Sequence, residues 1–266
     1  MDTRPIGMLD SGMGGVTVLA EIKKELPKEN IIYYGDTLHF PYGNKSRETI
    51  LELTQKGISF LVDKGVKAIV IACGTATSQA LEELQSQYTI PIIGIIKPTI
   101  EEIAKRNYSR IGVIGTAGTI RSKAWENALK QVLPDSTVYS KACPLLAPMA
   151  EEGWTDNEIA RLTVKEYVKD FKEKKLEGLI LGCTHYSFFQ KWIQQELGKE
   201  VSIINAGEMV SKTIKKILQE QDIQNLEEEK EVEIYLTNIE CNMVQMLEKY
   251  LPKKQITYSI LHQEEK

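Results

Sequence analysis

Short apolar runs and amphipathic stretches alternate along nearly the whole chain. Pro5–Asp10, Asn30–Gly35, Ala68–Cys73, Pro91–Ile95, Ser109–Gly115, Gly178–Cys183 and Glu200–Asn205 are rich in Ile, Val and Leu and short. Runs that are apolar at consecutive rather than alternate positions predict parallel strands buried on both faces. The stretches between them follow a helical period: in Gly14–Leu26, Val18, Ile22 and Leu26 fall four apart on one face. Ser46–Asp63, Thr75–Gln85, Ile120–Val132 and Phe188–Leu197 are read as further helices. Another runs to about Lys172, with Thr155 and Glu158 spaced as a capping box at its start. Strands alternating with helices predict an α/β protein with parallel sheets.

Two of the strands are near twins. Ala68-Ile69-Val70-Ile71-Ala72-Cys73 is followed by Gly74-Thr75, and Gly178-Leu179-Ile180-Leu181-Gly182-Cys183 by Thr184-His185. A second echo pairs Ile6-Gly7-Met8-Leu9-Asp10-Ser11-Gly12 with Ile111-Gly112-Val113-Ile114-Gly115-Thr116-Ala117-Gly118. Similar spacings in the same order predict two related halves, with a crossing near Pro98. Past the acidic stretch Glu220–Glu233, Val232–Thr237, Asn242–Tyr250 and Ile256–Leu261 read as strand, helix, strand. No third cysteine strand occurs there, so this tail is expected to complete one of the two sheets.

Composition narrows the function classes. Hydrophobic content of 42%, charged content of 26% and a net charge of −4 describe an ordinary globular chain with no basic face for nucleic acid. No apolar stretch approaches the roughly 20 residues that span a bilayer. The N-terminus leads straight into a strand without a visible signal peptide, so a cytoplasmic location with free thiols is expected. The four cysteines do not make a disulfide framework. No metal is expected, because potential ligands lack finger spacing and His39 and His262 are isolated. Cys143 and Cys241 read as structural.

The twin cysteines carry the chemistry. The C-terminal ends of parallel strands are where open α/β sheets hold ligands. A thiol with a pKa of about 8.5 needs help to act as a base. Both cysteines are expected just before helices, whose N-termini favour an anion. His185 is placed to exchange a proton with Cys183, and Asp10 to accept one near Cys73. Gly12-Met13-Gly14-Gly15 lacks both GxGxxG spacing and a Walker lysine, so it reads as a tight turn rather than a nucleotide site. Its free amides, the matching turn Gly115–Thr119 and nearby hydroxyls suit a small dianionic substrate.

These residues resemble the cofactor-independent glutamate racemases of the aspartate/glutamate racemase superfamily. The likeness rests on Asp10-Ser11-Gly12 with Gly14-Gly15, Tyr34-Gly35-Asp36-Thr37, Pro41-Tyr42-Gly43, Cys73 with Thr75, Gly115-Thr116 with Gly118-Thr119, and Gly182-Cys183-Thr184-His185-Tyr186. Glu151 falls where the family carries an acidic residue.

The resemblance implies two parallel-sheet α/β domains related by pseudo-two-fold symmetry, residues 1–97 with 206–266 and residues 98–205, with the active site between them. It implies L-/D-glutamate interconversion by Cys73 and Cys183 on opposite faces of the substrate, without cofactor, assisted by Asp10, His185 and Glu151. Ser11, Pro41, Tyr42, Gly43, Gly74, Thr75, Thr116, Thr119 and Thr184 would hold the substrate. It also implies a homodimer and a D-glutamate supply for peptidoglycan.

The chain departs from the pattern at Gly74, where an Asn is usual; restoring that amide is expected to lower KM for glutamate. Thr99, Ser187 and Asn205-Ala206 are smaller departures. Racemisation of aspartate or another small amino acid, and a binding-only paralogue, are the alternatives.

Overall fold

A computed structural model describes residues 2–227, 232–238, 247, 250–251 and 256–261. Its strands are β1 (Ile6–Asp10), β2 (Ile31–Gly35), β3 (Ala68–Ile71), β4 (Ile92–Gly94), β5 (Arg110–Gly115), β6 (Thr137–Ala142), β7 (Gly178–Leu181), β8 (Ser202–Asn205), β9 (Val232–Leu236) and β10 (Ile256–Ile260). One sheet has the order β10-β9-β2-β1-β3-β4 and the other β6-β5-β7-β8, every pairing parallel. The chain is thus two parallel-sheet α/β domains, as expected.

The shared unit is visible in the order. β2-β1-β3-β4 and β6-β5-β7-β8 both set the second strand, then the first, third and fourth. Ile6 pairs with Ile31 and Ala68; Ile111 pairs with Val138 and Gly178. The first and third strand of each unit are therefore adjacent, and their C-terminal ends open on the same side. β1, β3 and β7 are buried at every position, which is why their sequences lack alternation.

Three helices tie the halves together. α1 (Val16–Glu25) flanks the first sheet, α5 (Ile96–Arg106) carries the chain across, and α11 (Ala206–Glu220) carries it back and packs on both. Val210, Ile214 and Leu218 of α11 are buried in one cluster with Ile6, Val70, Ile111 and Ile180 from both sheets. At about 1.5–3 kcal/mol per fully buried side chain, those three residues matter against a typical net stability of about 5–15 kcal/mol. At the opposite end from the cysteines, the buried Lys67 Nζ lies 2.6 Å from Glu29 Oε2. It also donates to the carbonyls of Asp2 and Ile223, pinning the chain start and the segment after α11.

Several local expectations change. The segment after Cys73 breaks at Ala80 into α3 (Gly74–Gln79) and α4 (Leu81–Leu84). The next predicted helix is split into α6 (Ala117–Ser122) and α7 (Ala124–Val132) by Lys123 in the left-handed region (φ 55°). The helix α9 (Glu158–Val168) is capped by Asn157, whose side chain accepts from the Ala160 N–H, so Thr155 and Glu158 form no capping box. Pro98 sits inside the first turn of α5, where a missing N–H costs little. The expected helix Asn242–Tyr250 lies largely outside the described residues, as do Cys241 and His262. Among the described residues no helix is long and apolar enough to cross a membrane.

Candidate active site

The C-terminal ends of β1, β3, β5 and β7 converge on one cleft. From the first half it is lined by Ser11, Pro41, Tyr42, Gly43, Cys73, Gly74 and Thr75. Thr116, Cys183, Thr184 and His185 line it from the second. Asp10, Thr119 and Glu151 stand one layer behind, buried and bonded to lining residues or to the turn beside them. Free volume in the cleft is about 10 Å³, room for about one water. That is less space than a small amino acid fills.

Cys73 follows β3 by two residues and caps α3, its Sγ accepting from the Ala76 N–H at 3.4 Å. Its thiol donates to Ser11 Oγ at 3.4 Å. The short helix does not make it a resting thiolate. Burial, then the nearby Asp10 charge, push its pKa up to about 12 against the opposing Ser11 and Ala76 contacts. Asp10 is itself pushed up to about 6 by burial; His185 pulls it down and Glu151 pushes it further up. Its carboxyl accepts from the Gly12 N–H at 3.1 Å and, from the other half, the Thr184 hydroxyl at 3.4 Å.

Cys183 lies in a different setting. It is followed not by an α-helix but by the 3₁₀ run Thr184–Phe189, so it gains no cap contact. Its Sγ is 3.7 Å from His185 Nδ1, and His185 Nε2 is 2.5 Å from Glu151 Oε1. Burial opposes charge on His185, but hydrogen bonds to Cys183 and Glu151 outweigh it and raise the imidazole well above its ordinary pKa. The ring fits because position 14 is glycine: a Cβ there would stand 2.4 Å from His185 Nδ1.

The turn after β1 was expected to leave amides free for a substrate carboxylate. Two are taken by the protein itself. Gly12 N–H donates to Asp10, and Met13 N–H donates to Glu151 Oε1 at 2.8 Å. That bond reaches across the cleft, so the carboxylate held at this turn is Glu151, at the end of α8 (Leu146–Glu151).

Hydroxyls form a second bridge. Thr75 Oγ1 of the first half lies 2.9 Å from Thr116 Oγ1 and 3.3 Å from Thr119 Oγ1 of the second, themselves 3.0 Å apart. The loop after β2 closes the cleft, anchored by Asp36: one carboxyl oxygen accepts from Tyr42 Oη at 2.6 Å, the other contacts His39 Nδ1 at 2.8 Å and accepts from Thr237 Oγ1 at 2.9 Å.

Position 74 reads differently in three dimensions. A Cβ on Gly74 would stand 2.0 Å from the carbonyl oxygen of Gly182. An Asn there would not restore a contact in this arrangement but collide, so the expected gain in binding does not follow.

Sequence reading did not single out Phe40, Ala147 or Thr237. Phe40 packs on the His185 ring with centroids 5.2 Å apart, and Ala147 lines the cleft. An aromatic directly before Pro41-Tyr42-Gly43 was a usable signal for the first; nothing in the sequence marked the other two. Among the described residues no group of three or more His, Cys, Asp or Glu side chains could hold a metal ion.

Comparison with known proteins identifies related chains and the same fold. Residues 6–212 match the Asp/Glu/hydantoin racemase family. A glutamate racemase from Geobacter metallireducens is 46% identical over 219 residues, 82% of this chain and 81% of the relative. Another from Aquifex aeolicus is 41% identical, covering 91% and 92%. A crystal structure of a glutamate racemase isoform from Bacillus anthracis superposes with a TM-score of 0.93 at 35% identity and 99% coverage of both chains. One from Francisella tularensis in complex with D-glutamate gives 0.92 at 36% identity, covering 98% of each.

Proposed function

Because the chain belongs to the Asp/Glu/hydantoin racemase family, and is an amino-acid racemase, we propose that it interconverts L- and D-glutamate without a cofactor, using Cys73 and Cys183 as two opposed bases. The observation that carries this is the pair itself: two buried thiols from different halves line one cleft, each beside its own proton-handling group. In one direction a thiolate removes the α-proton and becomes a thiol. The resulting carbanion takes a proton from the opposite thiol, which becomes a thiolate, so protons and charge balance and configuration inverts. The reverse direction exchanges the roles.

Asp10 accepts the Cys73 proton to form that thiolate, and the charged His185 stabilises the thiolate of Cys183 while Glu151 holds the ring. Ser11, Thr75, Thr116, Thr119 and Thr184 offer hydroxyls to the carboxylates and ammonium, and Pro41-Tyr42-Gly43 with Gly74 shape the walls. Domains 1–97 with 206–266 and 98–205 part to admit substrate and close over it, excluding water from the carbanion. We further place the enzyme in the cytoplasm as a homodimer that supplies D-glutamate for peptidoglycan.

Incubation of the cofactor-free protein with each glutamate enantiomer in D₂O tests this. Deuterium at Cα with decay of optical activity is the expected result. Exchange with aspartate alone would change the substrate, and no exchange with either acid would leave a binding protein.

A further inference from the structure

A single peptide group connects the first sheet to the surroundings of Cys183. The Gly12 carbonyl and the Met13 N–H belong to one peptide unit, in the turn after β1. The carbonyl accepts from Tyr33 Oη at 2.7 Å, and the N–H donates to Glu151 Oε1 at 2.8 Å. The bond between them is trans, so the two groups point in opposite directions. Tyr33 holds the peptide from within the first half while its other side grips a carboxylate of the second. From that carboxylate the contacts run on to His185 Nε2 at 2.5 Å, and from His185 Nδ1 to Cys183 Sγ at 3.7 Å. Hydrogen bonds in series polarise one another, so a change at one end is felt along the row.

Each part suits this use. Tyr33 lies on β2, opposite Met8 of β1 and Ile234 of β9, and is 0% exposed in the apolar core. Glycine at position 15 leaves room for its hydroxyl: a Cβ there would stand 2.7 Å from Tyr33 Oη. Gly12 leaves its side of the peptide free to rotate, so an anchor on the carbonyl is what keeps the Met13 N–H aimed at Glu151. Burial, and then the Asp10 charge, raise the phenol well above its ordinary pKa, which keeps it a donor. Tyr33 is not part of the cleft wall, so its effect on the reaction passes through other residues.

We infer that Tyr33 is a positioning residue for the Cys183 side of the site: its hydroxyl orients the Gly12–Met13 peptide, whose N–H holds Glu151 on the His185 ring. The inference rests on the two-thiol reading above. The titratable groups facing His185 are Cys183, Glu151 and Asp10; those facing the Tyr33 hydroxyl are Asp10, Glu151 and Cys73. Two routes from Tyr33 to the chemistry therefore exist, through Glu151 and through Asp10. They separate by pH: loss of the Glu151 contact lowers the imidazole pKa and moves the alkaline limb, whereas an effect on Asp10 moves the acid limb.

The test is Tyr33→Phe, alone and combined with Glu151→Gln. It is read by pH profiles of glutamate racemisation, by NMR titration of the His185 imidazole and by urea unfolding. Expected for Tyr33→Phe is a kcat lowered about fivefold, the worth of one neutral hydrogen bond, with KM within about twofold of the parent's. The alkaline limb and the His185 pKa should both move to lower pH, with the acid limb in place and unfolding still cooperative. Added to Glu151→Gln, the same change should lower kcat less than about twofold further, because one residue acts through the other. Losses that multiply in the double variant, or an alkaline limb that overlays the parent's, would overturn the inference. A shift of the acid limb alone would overturn it by assigning the hydroxyl to Asp10. Loss of the cooperative transition would do so by making the hydroxyl a requirement of the fold. If the parent protein does not racemise glutamate, the two-thiol reading fails; the His185 titration still decides whether Tyr33 acts on the ring.

Discussion

Cys73 and Cys183 each stand two residues beyond the third strand of a four-strand unit with the same order, yet the groups around them make opposite demands. Beside Cys73 is an acidic group, Asp10, which together with burial holds the thiol protonated. Beside Cys183 is a basic one, His185, kept charged by Glu151 and by the thiol itself. A symmetric scaffold thus carries an asymmetric proton inventory, a carboxyl beside one thiol and a charged imidazole beside the other. The pairing is also crossed: Thr184 of the second half donates to Asp10, and Met13 of the first holds Glu151. Opening the cleft therefore loosens the groups that set both thiols.

The largest expected effect removes one thiol. Cys73→Ala and Cys183→Ala should each lower racemisation about 10⁴-fold in both directions, since each direction needs one base and one acid. They should differ in solvent exchange. The remaining thiol can still remove and return the α-proton on its own face, so each variant should incorporate deuterium into one enantiomer only, and into opposite ones. NMR in D₂O reads this directly; identical exchange patterns would dissolve the distinction between the half-sites.

The partners should break the comparison more gently. Asp10→Asn and His185→Asn are expected to cost about 10²–10³-fold, the range for a proton-transfer group. Asp10 must be ionised to take a proton, and its pKa is raised to about 6. The kcat/KM of the direction that starts at Cys73 should therefore rise with pH and level off above about 6, and Asp10→Asn should abolish that limb. On the other side, Glu151→Gln should cost about tenfold and act through His185. Without the carboxylate the imidazole pKa falls, so the ring loses its proton at lower pH and activity declines earlier on the alkaline side. A pH profile for Glu151→Gln that overlays the parent's would place Glu151 outside the relay.

The same contrast explains what could be read from the sequence. β1, β3, β5 and β7 were legible because strands buried on both faces are written as unbroken apolar runs. β6 was not: Thr137–Ala142 is an edge strand with no fully buried position, so it leaves no such run. The cysteines were legible because they repeat a local setting, and His185 because it follows one of them by two residues. The Asp10–Glu151–His185 cluster joins distant parts of the chain, and only the family resemblance named Glu151. The left-handed Lys123 and the Asn157 cap depend on one torsion and one side-chain contact, below the resolution of periodicity. Gly74 was legible as a missing amide but not as a steric contact, because the Gly182 carbonyl lies more than a hundred residues away.

The smallest effect compares how each half braces its loop. Tyr42 gives its hydroxyl to the Asp36 carboxylate at 2.6 Å, whereas Tyr186 gives its hydroxyl to the Cys143 backbone carbonyl at 2.7 Å. Both rings are buried, with exposures of 1% and 0%, so Phe preserves the packing and deletes one hydrogen bond in each case. A bond to a charged acceptor contributes about 1.5–3 kcal/mol and a neutral one about 0.5–1.5 kcal/mol. Tyr42→Phe should therefore destabilise the protein more than Tyr186→Phe in urea unfolding. It should also raise KM, because the Asp36 anchor holds the loop that carries Pro41 and Gly43 over the cleft. Equal losses in the two variants would mean that His39 and Thr237, the other partners of Asp36, brace that loop without Tyr42.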